Sequence, residues 1–322
     1  MGFRDEAAAA AKQFRYKVRI YQGLLAAALI FALIAGFYAF GDSAADPADN
    51  PYQLLDPARQ YIAQEDFVVN IQPLREALNE LVAAENDIAV TLYYEQLNTG
   101  GNISINPDLR LNSASLNKLP VAMVAAKKVE LGQWNWQDLL VLDDADVNDG
   151  SGDLFRMPVG TKLTIGQLLE ELLVRSDNTA LYMLYRNITN EDANLFRNEI
   201  GLEALYDEEG RASAKEYARI FRALYTASFL NRENSEKVLR WLVESRGGEY
   251  LSRGLPEEVV FAHKYGRNET EHTLADAGIV YLHNRPYILV VLMELPDSSE
   301  QNLARGTLLM KEISQKAHEY LQ

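Results

Sequence analysis

Cysteine is absent from the chain, which excludes disulfides, a thiol nucleophile and thiolate metal sites. Histidine is scarce, and the four that occur, His263, His272, His283 and His318, show no ligand spacing. No metal centre and no cofactor are expected from them. Positive charge is in deficit, with 31 Lys and Arg against 46 Asp and Glu for a net charge of −15. That balance argues against a nucleic-acid partner, which needs a cationic face to displace counterions from phosphate. Internal repeats and glycine-rich phosphate loops are also missing, and low complexity is confined to the alanines of 7–11.

What is present is an ordinary globular composition, 48% hydrophobic and 24% charged over 322 residues. A chain of that size can build a large core without a staple. Residues 20–40 form an uncharged run of 21 residues, IYQGLLAAALIFALIAGFYAF. Such a run is long enough to cross about 30 Å of hydrocarbon. Arg4, Lys12, Arg15, Lys17 and Arg19 precede it against only Asp5 and Glu6, so the rule that positive flanks stay inside puts 1–19 in the cytoplasm and the rest outside. A buried core helix rarely runs so long without a charge. A cleaved signal peptide is the stronger rival, given Ser43-Ala44-Ala45, but the run exceeds the usual apolar length of such peptides. The expectation is an uncleaved anchor in the lipid bilayer through residues 20–40, a solvated stalk over 41–57, rich in Ala, Asp and Pro, and a folded domain over 58–322.

Within the folded part, helical spacing of Ile71, Leu74, Leu78, Leu81 and Val82 opens the domain. Alternating residues around Asn98-Thr-Gly-Gly101 predict a hairpin over 88–106. Helices are expected at 115–131, 164–174, 178–188, 191–200, 214–227 and 235–243, then strands at 259–265, 274–282 and 287–295, then a helix over 298–321. Strands at both ends of the chain with helices between predict an α+β fold: an antiparallel sheet flanked by terminal helices, plus an all-helical lobe. A cleft between two lobes suits a site.

Three short patterns each occur once: Ser115-Leu-Asn-Lys118, Ser176-Asp-Asn178 and Lys264-Tyr-Gly266. Singly, each is also ordinary local structure, a helix-capping serine, a loop at a helix start or a strand end. Their order and their placement on predicted elements are what is specific. Lys118 falls one helical turn after Ser115, so its amine can reach the hydroxyl, and Pro120 suits a first turn. A serine hydroxyl is a weak nucleophile until a neighbour takes its proton. Lysine can do so if burial or a second cation lowers its pKa, and Lys264 would be that cation. Ser176 could pass the proton on, and Asn178 could bind substrate or steady Lys118. Helix-start N–H groups near Ser115, with the N–H of Arg267, could form an oxyanion hole.

On these residues the chain resembles a class A β-lactamase or a related penicillin-binding D,D-peptidase domain. SASLNKLPVAMVAAKKVELGQ is similar to that family's nucleophile helix, and VNDGSGDLFRMPVGTKLTIGQLLEELLVRSDNTALYML to its helical lobe. FAHKYG followed by LADAGIVYLHNRPYILVVL is similar to its third motif and the next hairpin. The likeness covers roughly 71–322. It implies a β-lactamase-like two-lobe fold and acyl transfer through an acyl-serine, with Lys118 as base, Ser176 as relay and Lys264 recognising the substrate carboxylate.

Two departures stand out. The family has Thr or Ser where this chain has Tyr265, whose hydroxyl is carried farther from the backbone. The family's glutamate on an omega loop, in an E-x-x-L-N context, is not evident in GLEALYDEEGRAS. Asp207, Glu208 or Glu209 could supply a carboxylate, although acids beside Gly210 read more readily as a solvated turn. Without that base an acyl-enzyme forms but hydrolyses slowly. His263 could tune Lys264, although a satisfied strand histidine is the simpler reading. The leading expectation is an outward-facing acyl-serine enzyme acting on a peptidoglycan peptide or β-lactams. An idle binding or sensor domain that keeps the fold, and an esterase or amidase with an unrelated substrate, are the alternatives.

Overall fold

Helix α1 (Gln72–Ala84) packs beside the last helix of the chain, and the sheet lies beneath them. The structure is a computed structural model that describes residues 53–55, 70–202, 205–246 and 250–321. Strands β1 (Ala89–Gln96) and β2 (Asn102–Ile105) form the expected hairpin, and β7 (Val260–Asn268), β8 (Thr273–Tyr281) and β9 (Tyr287–Glu294) complete an antiparallel sheet in the order β2-β1-β9-β8-β7. The strand carrying Lys264 is therefore an edge.

The central strand β9 is buried on both faces, which is why it reads as a continuous apolar run instead of an alternating one. Ile288, Val290 and Leu292 face one core, and Tyr287, Leu289, Val291 and Met293 face the other. The second core is closed by Leu74 and Leu78 of α1 and by Met310, Ile313 and Ala317 of the terminal helix Glu300–Glu319. The first core is shared with a helical lobe made of α2 (Lys118–Glu130), α3 (Ile165–Val174), α4 (Asn178–Tyr185), α5 (Asn190–Ile200), α6 (Ala214–Tyr225) and α7 (Arg232–Val243). The terminal helix is α8 in this order. Two small strand pairs unmarked by sequence periodicity brace the lobe: β3 (Leu111–Asn112) with β6 (Arg211–Ala212), and β4 (Leu139–Val141) with β5 (Lys162–Thr164).

Helix starts follow local chemistry. Thr164 Oγ1 accepts the Gln167 N–H at 3.1 Å while Gln167 Oε1 accepts the Thr164 N–H at 2.9 Å, a reciprocal cap on α3. One expectation fails at the edge of the domain. Leu54 and Leu55, inside the expected stalk, are buried in the first core, and Leu54 is tied by its N–H to Glu236 at 3.0 Å and by its carbonyl to the Tyr281 hydroxyl at 2.7 Å. An apolar pair gains more by docking than by staying solvated. The expected span at 20–40, the basic segment before it and the rest of the stalk lie outside the described residues. Among the described residues no helix is long and apolar enough to cross a membrane.

Candidate active site

Ser115 does not open an α-helix. It lies in the 3-10 turn Ala114–Asn117, which runs directly into α2. The turn is forced by Ala114 at φ +45°, a conformation L residues rarely adopt, and Asn112 Oδ1 holds it by accepting the Ala114 N–H at 2.8 Å. Strand β7 also runs on to Asn268 instead of ending at the Lys-Tyr-Gly pattern. Gly266 explains the pattern's last position: a Cβ there would stand 2.4 Å from the Ser115 backbone N and 2.8 Å from Ala114 Cβ. Only glycine lets the edge strand pass so close to the Ser115 turn.

Ser176 and Asn178 come from the corner between α3 and α4. Ser176 takes φ +57°, a strained value that clusters at functional sites. Asp177 fixes the corner, capping α4 through the Ala180 N–H at 2.8 Å and receiving the N–H groups of Asp153 and Leu154 at 2.8 and 2.9 Å. The incoming loop passes so near that a Cβ on Gly152, at φ +83°, would lie 2.0 Å from Asp177 Oδ2.

These elements converge on Lys118. Its side chain is 1% exposed, and its Nζ lies 3.1 Å from Ser115 Oγ, 3.0 Å from Ser176 Oγ and 2.7 Å from Asn178 Oδ1, and also bonds the Ser176 carbonyl. An ammonium has three protons for these four acceptors, whereas a neutral amine has a lone pair to take a proton from Ser115. Burial lowers the Lys118 pKa to about 8, opposed in part by the Asp177 carboxylate. Lys264 is wholly buried, and burial, then the charge of Lys118, bring its pKa down to about 7 against the pull of Asp276. Two buried cations near each other favour the loss of one proton.

The remaining expected residues fall in different places. Tyr265 meets Lys264, accepting its N–H at the carbonyl at 3.1 Å with the ring centroid 4.6 Å away, and the ring packs 5.7 Å from Tyr250. The Arg267 side chain pairs with Glu269 at 3.0 Å. His263 is a buried strand histidine with its Nδ1 2.8 Å from Asp276. Asp207 faces Arg110 at 3.4 Å and accepts the N–H groups of Arg211 and Glu209 at 2.8 and 3.2 Å, while Glu208 and Glu209 are exposed. Among the described residues no carboxylate hydrogen-bonds Ser115 or Lys118.

Two features carried no sequence signal. Asn148 Oδ1 receives the Asn178 amide at 2.8 Å, which leaves Asn178 Oδ1 facing Lys118. The hydroxyls of Tyr206 and Tyr217 meet at 2.8 Å beside Ser113, two residues before Ser115. Burial raises Tyr206 to about 12 and Tyr217 well above its ordinary value, so both stay protonated.

A five-stranded antiparallel sheet against a helical lobe, with Ser-x-x-Lys, Ser-Asp-Asn and Lys-x-Gly gathered at one edge, defines the serine β-lactamase and penicillin-binding-protein superfamily. The chain belongs to the family described as "Beta-lactamase enzyme family", whose model matches residues 73–321. It is similar to a β-lactamase of Streptomyces fradiae, 26% identical over an alignment of 227 residues, with 64% of this chain and 74% of that protein covered. In fold it is similar to the structure of PBP-A, with a TM-score of 0.72 and 21% identity over 78% of this chain and 96% of that one. A mutant of PBP-A solved as an acyl-enzyme complex with penicillin G matches with a TM-score of 0.71 and 21% identity, over 78% of this chain and 97% of that one.

Proposed function

We propose that the chain is an outward-facing serine enzyme of the penicillin-recognising type, anchored in the membrane through residues 20–40, that forms an acyl-enzyme on Ser115 with β-lactams and peptidoglycan peptides. The observation that carries this reading is the Lys118 amine, buried and 3.1 Å from the Ser115 hydroxyl. In its neutral form Lys118 takes the Ser115 proton as Oγ attacks the substrate carbonyl carbon. The carbonyl oxygen gains negative charge and is met by the N–H groups of Ser115 and Arg267, brought together where Gly266 lets the strand close on the turn. Ser176, 3.0 Å from Lys118, hands its proton to the leaving nitrogen and takes in its place the proton that Lys118 received from Ser115, so that Lys118 returns to neutral as the bond from that nitrogen to the acyl carbon breaks. Asn178 keeps Lys118 aimed, and its amide N–H not bound by Asn148 is offered to the substrate.

The positions of Asp207, Glu208 and Glu209 favour an acyl-enzyme that hydrolyses slowly, so that transfer to a peptide amine or lasting acylation prevails over rapid β-lactam turnover. PBP-A is similar in fold, and the penicillin G adduct of its mutant supports the same chemistry for this chain. The competing reading, an idle peptidoglycan-binding or sensor domain, draws on Tyr265 standing where the family has a hydroxyl close to the backbone.

Intact-mass measurement of the full chain after incubation with a penicillin separates the two. Acylation predicts a covalent adduct of one penicillin that is absent from Ser115→Ala. No adduct, or an adduct that survives in Ser115→Ala, contradicts it.

A further inference from the structure

The Asn178 side chain can lie in either of two senses, and a loop outside the three motifs fixes which one Lys118 meets. Asn178 Oδ1 lies 2.7 Å from Lys118 Nζ, while its Nδ2 lies 2.8 Å from Asn148 Oδ1. Turned over, the same amide would set an oxygen against the Asn148 oxygen and its NH2 against Lys118. Asn148 cannot turn over to compensate. Its Oδ1 also accepts the Gly150 N–H at 3.0 Å, and a backbone N–H only donates. The sense therefore passes from the Gly150 N–H through two side-chain amides to Lys118.

The loop is fastened to the corner it serves. Thr179 of α4 is fully buried, and its hydroxyl accepts the Asn148 N–H at 3.0 Å and donates to the Asn148 carbonyl at 3.2 Å. The Asn178 N–H goes to the Ser151 carbonyl at 3.0 Å. Gly150 leaves no room for a side chain: a Cβ there would lie 2.8 Å from Asn178 Nδ2 and 3.0 Å from Asn148 Oδ1. Both lone pairs of Asn148 Oδ1 are thus spent, one on its own loop and one on Asn178.

We propose that Asn148, set by the Gly150 N–H, is a positioning residue that fixes the sense of the Asn178 amide, so that its oxygen meets Lys118 and one N–H is kept for an acceptor on the substrate. The consequence for rate rests on the acylation reading given above, whereas the sense of the amide does not.

Side-chain amide NMR of the full chain tests this, with the Asn178 Nδ2 signals identified by their loss in Asn178→Asp. The wild-type chain should show a nuclear Overhauser contact between an Asn178 Nδ2 hydrogen and a Gly150 Hα. Absence of that contact overturns the proposal, whether or not the chain is acylated and whether or not any variant folds. In Asn148→Ala the contact should weaken and the Asn178 amide hydrogens should exchange faster with solvent, and unchanged signals contradict the proposal. Acylation by a penicillin, counted per chain able to form the adduct, should slow about tenfold in Asn148→Ala, the worth of one buried hydrogen bond. Asn148→Asp keeps an oxygen for both the Gly150 N–H and Asn178, and should recover most of that loss at its own optimal pH. An equal loss in the two variants would make the loop a purely structural brace and also overturn the proposal. The wild-type contact in a chain that forms no adduct would remove the acylation reading and leave the fixed amide standing.

Discussion

The corner around Ser115 and the turn after the helix Asn190–Ile200 hold similar polar side chains and put them to opposite uses. At the corner, two serines, an asparagine and a lysine point at one another, and two lysines are buried with pKa values lowered to about 8 and about 7. At the turn, Asp207 closes its own loop and binds Arg110, and the two glutamates after it face solvent. One region holds polar groups under strain and desolvation, while in the other the carboxylates are bonded locally or left to solvent. If the corner acylates as proposed, the contrast separates acyl-enzyme formation from acyl-enzyme hydrolysis, because Asp207, Glu208 and Glu209 are bonded locally or solvated.

The sharpest way to break the comparison is to remove the base. Lys118→Met should lower the rate of acylation by about 10²–10⁴-fold with the fold retained, as judged by circular dichroism and thermal unfolding. Retention of most of the rate would mean that some other group takes the Ser115 proton. Next in size is Gly266→Ala. The added Cβ must push the strand or the turn apart, since it would lie 2.4 Å from the Ser115 N. Displacements of that order cost about 10²-fold in rate, and stopped-flow acylation would register it.

The pH profile sharpens the comparison further. Acylation needs Lys118 neutral, a form that grows as pH rises through about 8, and Lys264 charged, a form lost as pH rises through about 7. The active form thus carries one proton between the two lysines. The rate should peak between those values and fall about tenfold per pH unit on either side. A rate that climbs without a maximum up to pH 10 would show that Lys264 need not be charged. The smallest effect belongs to the turn: Asp207→Asn should leave acylation and adduct lifetime within about twofold while lowering stability by about 1 kcal/mol. A large rise in adduct lifetime would instead make Asp207 the hydrolytic base.

Much of this was legible in the sequence. The order of strands and helices followed from periodicity, and the meeting of Ser115, Lys118, Ser176 and Asn178 was suggested by the order of the motifs and their placement on predicted elements. The rest depends on contacts between distant segments. Nothing in the chain announces that Leu54 and Leu55 dock on the core, that Asn148 steadies Asn178, or that Tyr206 and Tyr217 join beneath Ser113. Ser115 was expected to open a helix because serine is a good cap. The positive φ of Ala114, set by Asn112, placed it in a 3-10 turn instead. The meeting of the Tyr265 carbonyl and ring with Lys264 also carried no sequence signal.

The most direct test follows the fate of the acyl group once it has formed. The full chain is loaded with a penicillin, freed of excess drug, and followed by intact mass over time at neutral pH. A corner in which no carboxylate among the described residues hydrogen-bonds Ser115 or Lys118 predicts one adduct per chain that decays slowly, over hours, and faster when a D-amino acid amine is supplied as acceptor. Rapid return of the unmodified mass in water alone, with hydrolysed penicillin accumulating over many turnovers, would contradict it.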